Sequence, residues 1–168
     1  MESCYIEFVP ASPELLLHTG EVFSLIRAMK FGQLEVDEVR LTALLTRQEQ
    51  AYFSEFTPED WDEWNSHWKS TPVAVRLSPA MVCPQWDLPS MYEAIWNGEY
   101  ELGSLTERDG RHMLTFEPSA YPYGGIACLV ALTECFGHKI IGYDDGTGYV
   151  PYTARPIWKP SRLHGADA

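Results

Sequence analysis

Cys4, Ile6 and Phe8 alternate with Tyr5, Glu7 and Val9 at the start of the chain, the period-2 pattern of a half-buried strand, and Pro10 closes it. The period then changes. Ser12-Pro13-Glu14 has the form of a helix N-cap followed by proline in the first turn, and Val22, Phe23, Leu25, Ile26 and Met29 keep helical spacing up to Gly32. The pattern leaves open one bent helix or two short ones around Thr19-Gly20. A second helix is predicted over 36–53, with Leu41, Leu44, Leu45 and Tyr52 as its inner stripe and Glu35, Asp37 and Glu38 favouring its N-terminal dipole. Thr57-Pro58-Glu59-Asp60 starts a third, with Thr57 as N-cap and an acid at the third position. That helix carries Trp61, Trp64 and Trp68 on one stripe, which reads as a core face; interleaved Asp60, Asp62 and Glu63 would make an exposed tryptophan there part of a recognition surface.

Val73–Leu77 reads as a strand, and the prolines at 79, 84 and 89 mark a loop before the short helix SMYEAIW, which Asn97-Gly98 caps. The chain is organised around 99–143. Tyr100, Leu102 and Ser104 alternate with Glu99, Glu101 and Gly103, as do His112, Leu114 and Phe116 with Arg111, Met113 and Thr115; Asp109-Gly110 between them is a hairpin turn. Ile126, Leu129, Val130, Thr133 and Phe136 then predict a buried helix that Gly137 stops, and HKIIGY (138–143) follows as a strand. This is a ββαβ unit. Tyr149 to Tyr152 adds an edge strand, since Pro151 fits only at an edge. The predicted fold is α+β: a mostly antiparallel sheet with helices packed on it and a C-terminal ββαβ unit, one domain over 1–154 followed by a basic tail, 155–168, that holds Arg155, Lys159 and Arg162.

Charge changes the picture more than composition does. The formal net charge is −12, and residues 1–70 hold 13 acids and 5 bases, so −8 of it lies there. Nucleic acid needs lysines and arginines against its phosphates, and anionic lipid repels such a surface; neither is an expected partner. A basic protein is, although acidity also serves solubility alone. No run of about 18 apolar residues suggests a membrane span. Glu2 and Glu7 stand where a signal peptide needs positive charge, so a cytoplasmic protein is expected. The four cysteines form no Cys-x-x-Cys; Cys128 and Cys135 lie about 10 Å apart along one helix, and all four are expected reduced.

Three patterns carry candidate chemistry, each with a plainer alternative. Cys128 follows Gly124-Gly125 near a helix start, with His138 and Asp144 downstream in the order of a cysteine hydrolase; the intervening helix, however, separates thiol and imidazole by about 12–15 Å. Asp144-Asp145-Gly146-Thr147-Gly148 offers adjacent carboxylates for a cation or a general base, with His112 a companion, but lacks the spacing of a calcium loop and reads equally as a strand-end turn. Tyr121-Pro122-Tyr123-Gly124-Gly125 faces a helix N-terminus without the lysine or hydroxyl of a phosphate loop. No metal and no cofactor is expected. In general character (small, acidic, tryptophan-rich, without a catalytic constellation) the chain resembles bacterial immunity or inhibitor proteins that neutralise a toxin, a likeness of class rather than motif. The expected function is therefore non-enzymatic docking of a basic protein by Glu35, Asp37, Glu38, Asp60, Asp62, Glu63 and Trp64. The alternative is a small enzyme or ligand-binding domain lined by Tyr121, Tyr123, His112, Asp144 and Asp145. A structural subunit of a larger assembly is the third reading.

Overall fold

The computed structural model describes residues 4–120 and 124–164. The chain forms two compact units, each discontinuous: the first combines Met1–Tyr52 with Leu88–Tyr152, the second Phe53–Asp87 with Thr153–Ala168. The fold is α+β, as the residue pattern predicts.

The first unit is built on a five-stranded antiparallel sheet. Its central strand is β1 (Cys4–Val9), flanked by β4 (Arg111–Pro118) and β5 (Lys139–Asp144); β3 (Tyr100–Arg108) and β6 (Tyr149–Pro151) are the edges. Both neighbours run antiparallel to β1 and so parallel to each other, and α7 (Ala127–Cys135) carries the chain from one to the other. Residues opposite one another share a face. Register therefore puts Cys4, Ile6 and Phe8 on the same side as Phe116, Leu114 and Ile140, all buried. Tyr5 and Glu7 point the other way, where Arg111 Nη1 and Tyr149 Oη donate to the Glu7 carboxylate at 3.0 and 3.1 Å. The β3–β4 turn has Asp109 and Gly110 both at positive φ, 54° and 75°, as a tight hairpin of right-handed twist requires.

Helices complete this core. In α1 (Pro13–Lys30) Val22, Phe23, Ile26 and Met29 are buried; in α6 (Leu88–Asn97) Met91, Tyr92 and Ile95 are; in α7 seven of nine residues are. Each large apolar side chain removed from water in this way contributes roughly 1.5–3 kcal/mol before ordering costs. The helix α1 is continuous: Ser12 caps it, accepting from the Leu15 amide, and it runs unbroken past Thr19-Gly20 with the Thr19 hydroxyl donating to Leu15 O at 2.7 Å. Its neighbour is not. The single helix expected over 36–53 is two, α2 (Glu38–Leu44) and α3 (Arg47–Gln50), because Thr46 and Glu49 form a capping box that starts a new helix while Leu45 is extended. The phase change leaves Leu41 and Leu45 buried and turns Leu44 to solvent.

In the second unit α4 (Pro58–Ser70) begins at the Thr57–Asp60 capping box that the sequence announces. The strand expected at Val73–Leu77 is instead a helical turn, α5 (Val73–Arg76). Pro72 fixes φ at −57° before it, and Arg76 folds back to donate to Thr71 O and Lys69 O, outweighing the β-branched valines. The two-residue strand β2 (Cys83–Pro84) pairs in parallel with β7 (Ile157–Trp158), and a 3-10 turn, Ser161–Leu163, follows. Trp158 is buried, edge-on to Phe56 and 5.4 Å from the Trp64 ring. Among the described residues no helix is long and apolar enough to cross a membrane.

Candidate functional site

Where α1 ends, the chain doubles back on itself. The Phe31 amide donates to Arg27 O, and both Gln33 and Leu34 amides reach Ala28 O at 2.9 and 3.2 Å. Asp37 then caps α2 through the Arg40 amide at 2.9 Å. All ten residues from Phe31 to Arg40 are exposed. Four of them are large and apolar: Phe31, Leu34, Val36 and Val39, the last 82% exposed; Leu44 adds a fifth at the end of α2. Three are acidic: Glu35, Asp37 and Glu38. Single exposed apolar residues are ordinary, but a continuous run flanked by like charges has the composition of a docking surface.

The segment is held in place rather than trailing. Glu38 Oε1 accepts from the Trp96 indole at 2.8 Å, and the Arg27 guanidinium lies 5.6 Å from the Phe31 ring. Glu35 has no hydrogen bond or ion pair among the described residues.

The other expected docking acids lie in the second unit. Asp60 is buried, and Arg162 grips it with Nε at 2.9 and 3.0 Å and Nη2 at 2.7 Å. Its carboxylate also accepts from the Thr57 amide. The hydrogen bonds from Arg162 hold its pKa down at about 2. Asp60 is thus an internal ion pair, and the capping position that the sequence displays is what turns it inward. Glu63 accepts from the Ser161 amide and hydroxyl, the latter at 2.6 Å, leaving Asp62 as the outward acid of the three. Trp64 is half-buried between Trp68 and Trp158, and Trp68 is exposed with the Arg76 guanidinium 5.1 Å from its ring. The tryptophan stripe is therefore neither a sealed core face nor a free one.

Among the described residues the enzymatic candidates do not assemble. The Cys128 thiol is buried against the Tyr100 hydroxyl at 3.4 Å, and burial pushes its pKa up, the opposite of what a nucleophile needs. His138 is also buried, with both ring nitrogens occupied: Nδ1 accepts from the Ala11 amide at 3.1 Å and Nε2 faces Thr19 Oγ1 at 2.8 Å. Asp144 spends Oδ1 on the Gly146 and Gly148 amides, and Asp145 spends its own on the Thr147 amide and hydroxyl. Those are the bonds of a turn, not of a ligand site. His112 stands opposite Phe8 on the buried side of the sheet, whereas Asp144 stands opposite Tyr5 on the other, so the pair does not share a pocket. Tyr121 and Tyr123 lie outside the described residues. Among those described, no three His, Cys, Asp or Glu side chains are grouped to hold a metal ion, and the four cysteines are free thiols.

The apolar half of the surface escapes the sequence pattern for two reasons: a helix predicted from residue 36 absorbs Val36 and Val39, and Phe31 and Leu34 are turned outward by the chain reversal at Ala28. The available signal is the alternation Leu34-Glu35-Val36-Asp37 just ahead of an N-cap. Comparison with protein-family models, with curated proteins and with solved structures finds no match.

Proposed function

We propose that this chain is a non-enzymatic binding protein of the cytoplasm, acting as an inhibitor or immunity-type protein acts, by docking a basic protein partner on Phe31–Arg40 and Leu44. The observation that supports it is the run of ten exposed residues in which four large apolar side chains alternate with three carboxylates. The apolar residues supply the area that a partner would bury, and Glu35, Asp37 and Glu38 supply steering and register. Set against Arg40 the segment carries a net charge of −2, in keeping with the acidic balance of the whole chain. The cation it fits is an arginine or lysine set in an apolar surround.

The test is capture from the producing cell's lysate at low salt with wild-type protein and with the paired variant Leu34→Asp, Val39→Asp. Both side chains are exposed, so the variant is expected to fold as wild type does. A basic protein retained by wild type, released by raised salt and at least about tenfold depleted on the variant is the expected result, two truncated anchors each being worth more than about 1 kcal/mol. Equal capture by both forms would overturn the assignment of this surface.

A further inference from the structure

The exposed segment is anchored at both ends, and both anchors are on the same turn of α6. Ahead of it, Lys30 Nζ donates to Ile95 O at 2.6 Å and Gly98 O at 2.7 Å and lies over the Tyr100 ring at 4.6 Å. The last carbonyls of a helix have no partner within it, and the half-buried Lys30 ammonium satisfies them while meeting the negative end of the dipole. Behind it, the Trp96 indole from that same turn reaches Glu38 at the start of α2, with the ring stacked near Tyr92. Residues 31–37 therefore span two fixed points.

Resting on the docking reading above, we propose that the C-terminal turn of α6 presets the geometry of the docking segment, with Trp96 as its positioning residue. A loop whose ends are tied loses less freedom on binding than a free one, so the partner meets the apolar and acidic side chains already arranged. Glu38 then has two duties, accepting from Trp96 through one oxygen and offering its charge through the other. The Lys30 anchor, half-buried, takes up the last carbonyls of α6 and belongs to the stability of α6 itself; the Trp96 anchor is an exposed hydrogen bond and separable.

Two substitutions divide the duties. Trp96→Phe keeps an aromatic ring on Tyr92 and removes the indole donor. Glu38→Gln keeps an acceptor for the indole and removes the charge. Amide hydrogen exchange on the free protein reads the latch without any partner. Trp96→Phe is expected to speed exchange of the Leu34, Arg40 and Leu41 amides about tenfold, as loss of one charge-assisted hydrogen bond implies, while the β1 amides stay unchanged. Glu38→Gln keeps a weaker, neutral acceptor, so it is expected to speed exchange less than Trp96→Phe does and to lower the salt concentration that releases the captured partner. Capture by Trp96→Phe should fall severalfold. Unchanged exchange in Trp96→Phe would overturn the latch whatever the partner does. Faster exchange together with undiminished capture by Trp96→Phe would overturn its role in docking, while full capture by the Leu34→Asp, Val39→Asp protein would instead remove the docking reading itself.

Discussion

Acid should loosen the first unit through one imidazole. Thr19 has a single hydroxyl proton, and it goes to Leu15 O, so the His138–Thr19 bond has Nε2–H as donor and Thr19 Oγ1 as acceptor. Nδ1 is then bare and takes the Ala11 amide. A second proton has nowhere to go except Nδ1, against an N–H that already points there. Phe8 and Phe136 stack near it, at 4.9 and 6.1 Å between ring centres, and offer no compensating charge. Burial, with a smaller contribution from His112, pushes the His138 pKa down to about 4. In the unfolded chain it sits near 6.5. The unfolded state binds the extra proton first, so this contribution to stability is complete above about pH 6.5 and is lost as pH falls toward 4. Integrating between the two values gives a loss of about 2 kcal/mol at pH 5 and about 3 kcal/mol at pH 4. Urea unfolding of wild type and His138→Gln at pH 7, 6, 5 and 4 measures it. The variant should be less stable at neutral pH but should lack this slope. Parallel pH profiles for the two proteins, or an imidazole resonance for His138 titrating near 6.5, would refute the reasoning.

Three further outcomes follow from the second unit and the thiols. Arg162→Ala strands the buried Asp60 carboxylate, so tryptophan near-ultraviolet dichroism should show the second unit melting at lower temperature, with Asp60→Asn in the same background recovering part of the loss. In the wild type the same pair should hold above the ordinary carboxylate range and fail as pH drops from 3.8 toward 2, since a lowered folded-state pKa is a contribution lost on acidification. Cys83 is the one half-buried thiol beside three buried ones, so a thiol reagent at pH 8 should modify it first; burial pushes Cys4, Cys128 and Cys135 upward, and fast labelling of Cys128 in native protein would contradict the packing described.

Local signals in this sequence carried the elements whose boundaries are set locally. The Asp109-Gly110 hairpin, the Ser12-Pro13 and Thr57-Pro58 helix starts, the buried 127–135 helix and the Pro151 edge strand all follow from residues adjacent to the feature. Failures came where a distant or competing contact decides. Arg76, reaching back to Lys69 and Thr71, makes a helix of valines that favour a strand. Thr46 and Glu49 compete successfully with the hydrophobic stripe that would have joined α2 to α3. The site was half legible. Carboxylates at 35, 37 and 38 stood out by charge, but the burial of Asp60 depends on Arg162, 102 positions away, and the exposure of Phe31 and Leu34 depends on a chain reversal at Ala28 that periodicity does not register.

The placing of β1 between β4 and β5 has a consequence for the order of events in synthesis. Of the five strands of this sheet, β1 comes first in the chain and its two neighbours come late, and the Ala11 amide waits 127 positions for His138. Until then Ile6 and Phe8 lie on an unpaired strand that is apolar on one face. The β3–β4 and β5–β6 pairs are local in sequence, whereas pairing β1 with β4 or β5 closes a long loop at an entropic cost that local elements never face. The second unit is interleaved in the same way, its two segments lying on either side of residues 88–152. Such a chain gains little from vectorial, piece-by-piece folding; its first strand is a nascent-chain liability, the kind of segment a holding chaperone recognises.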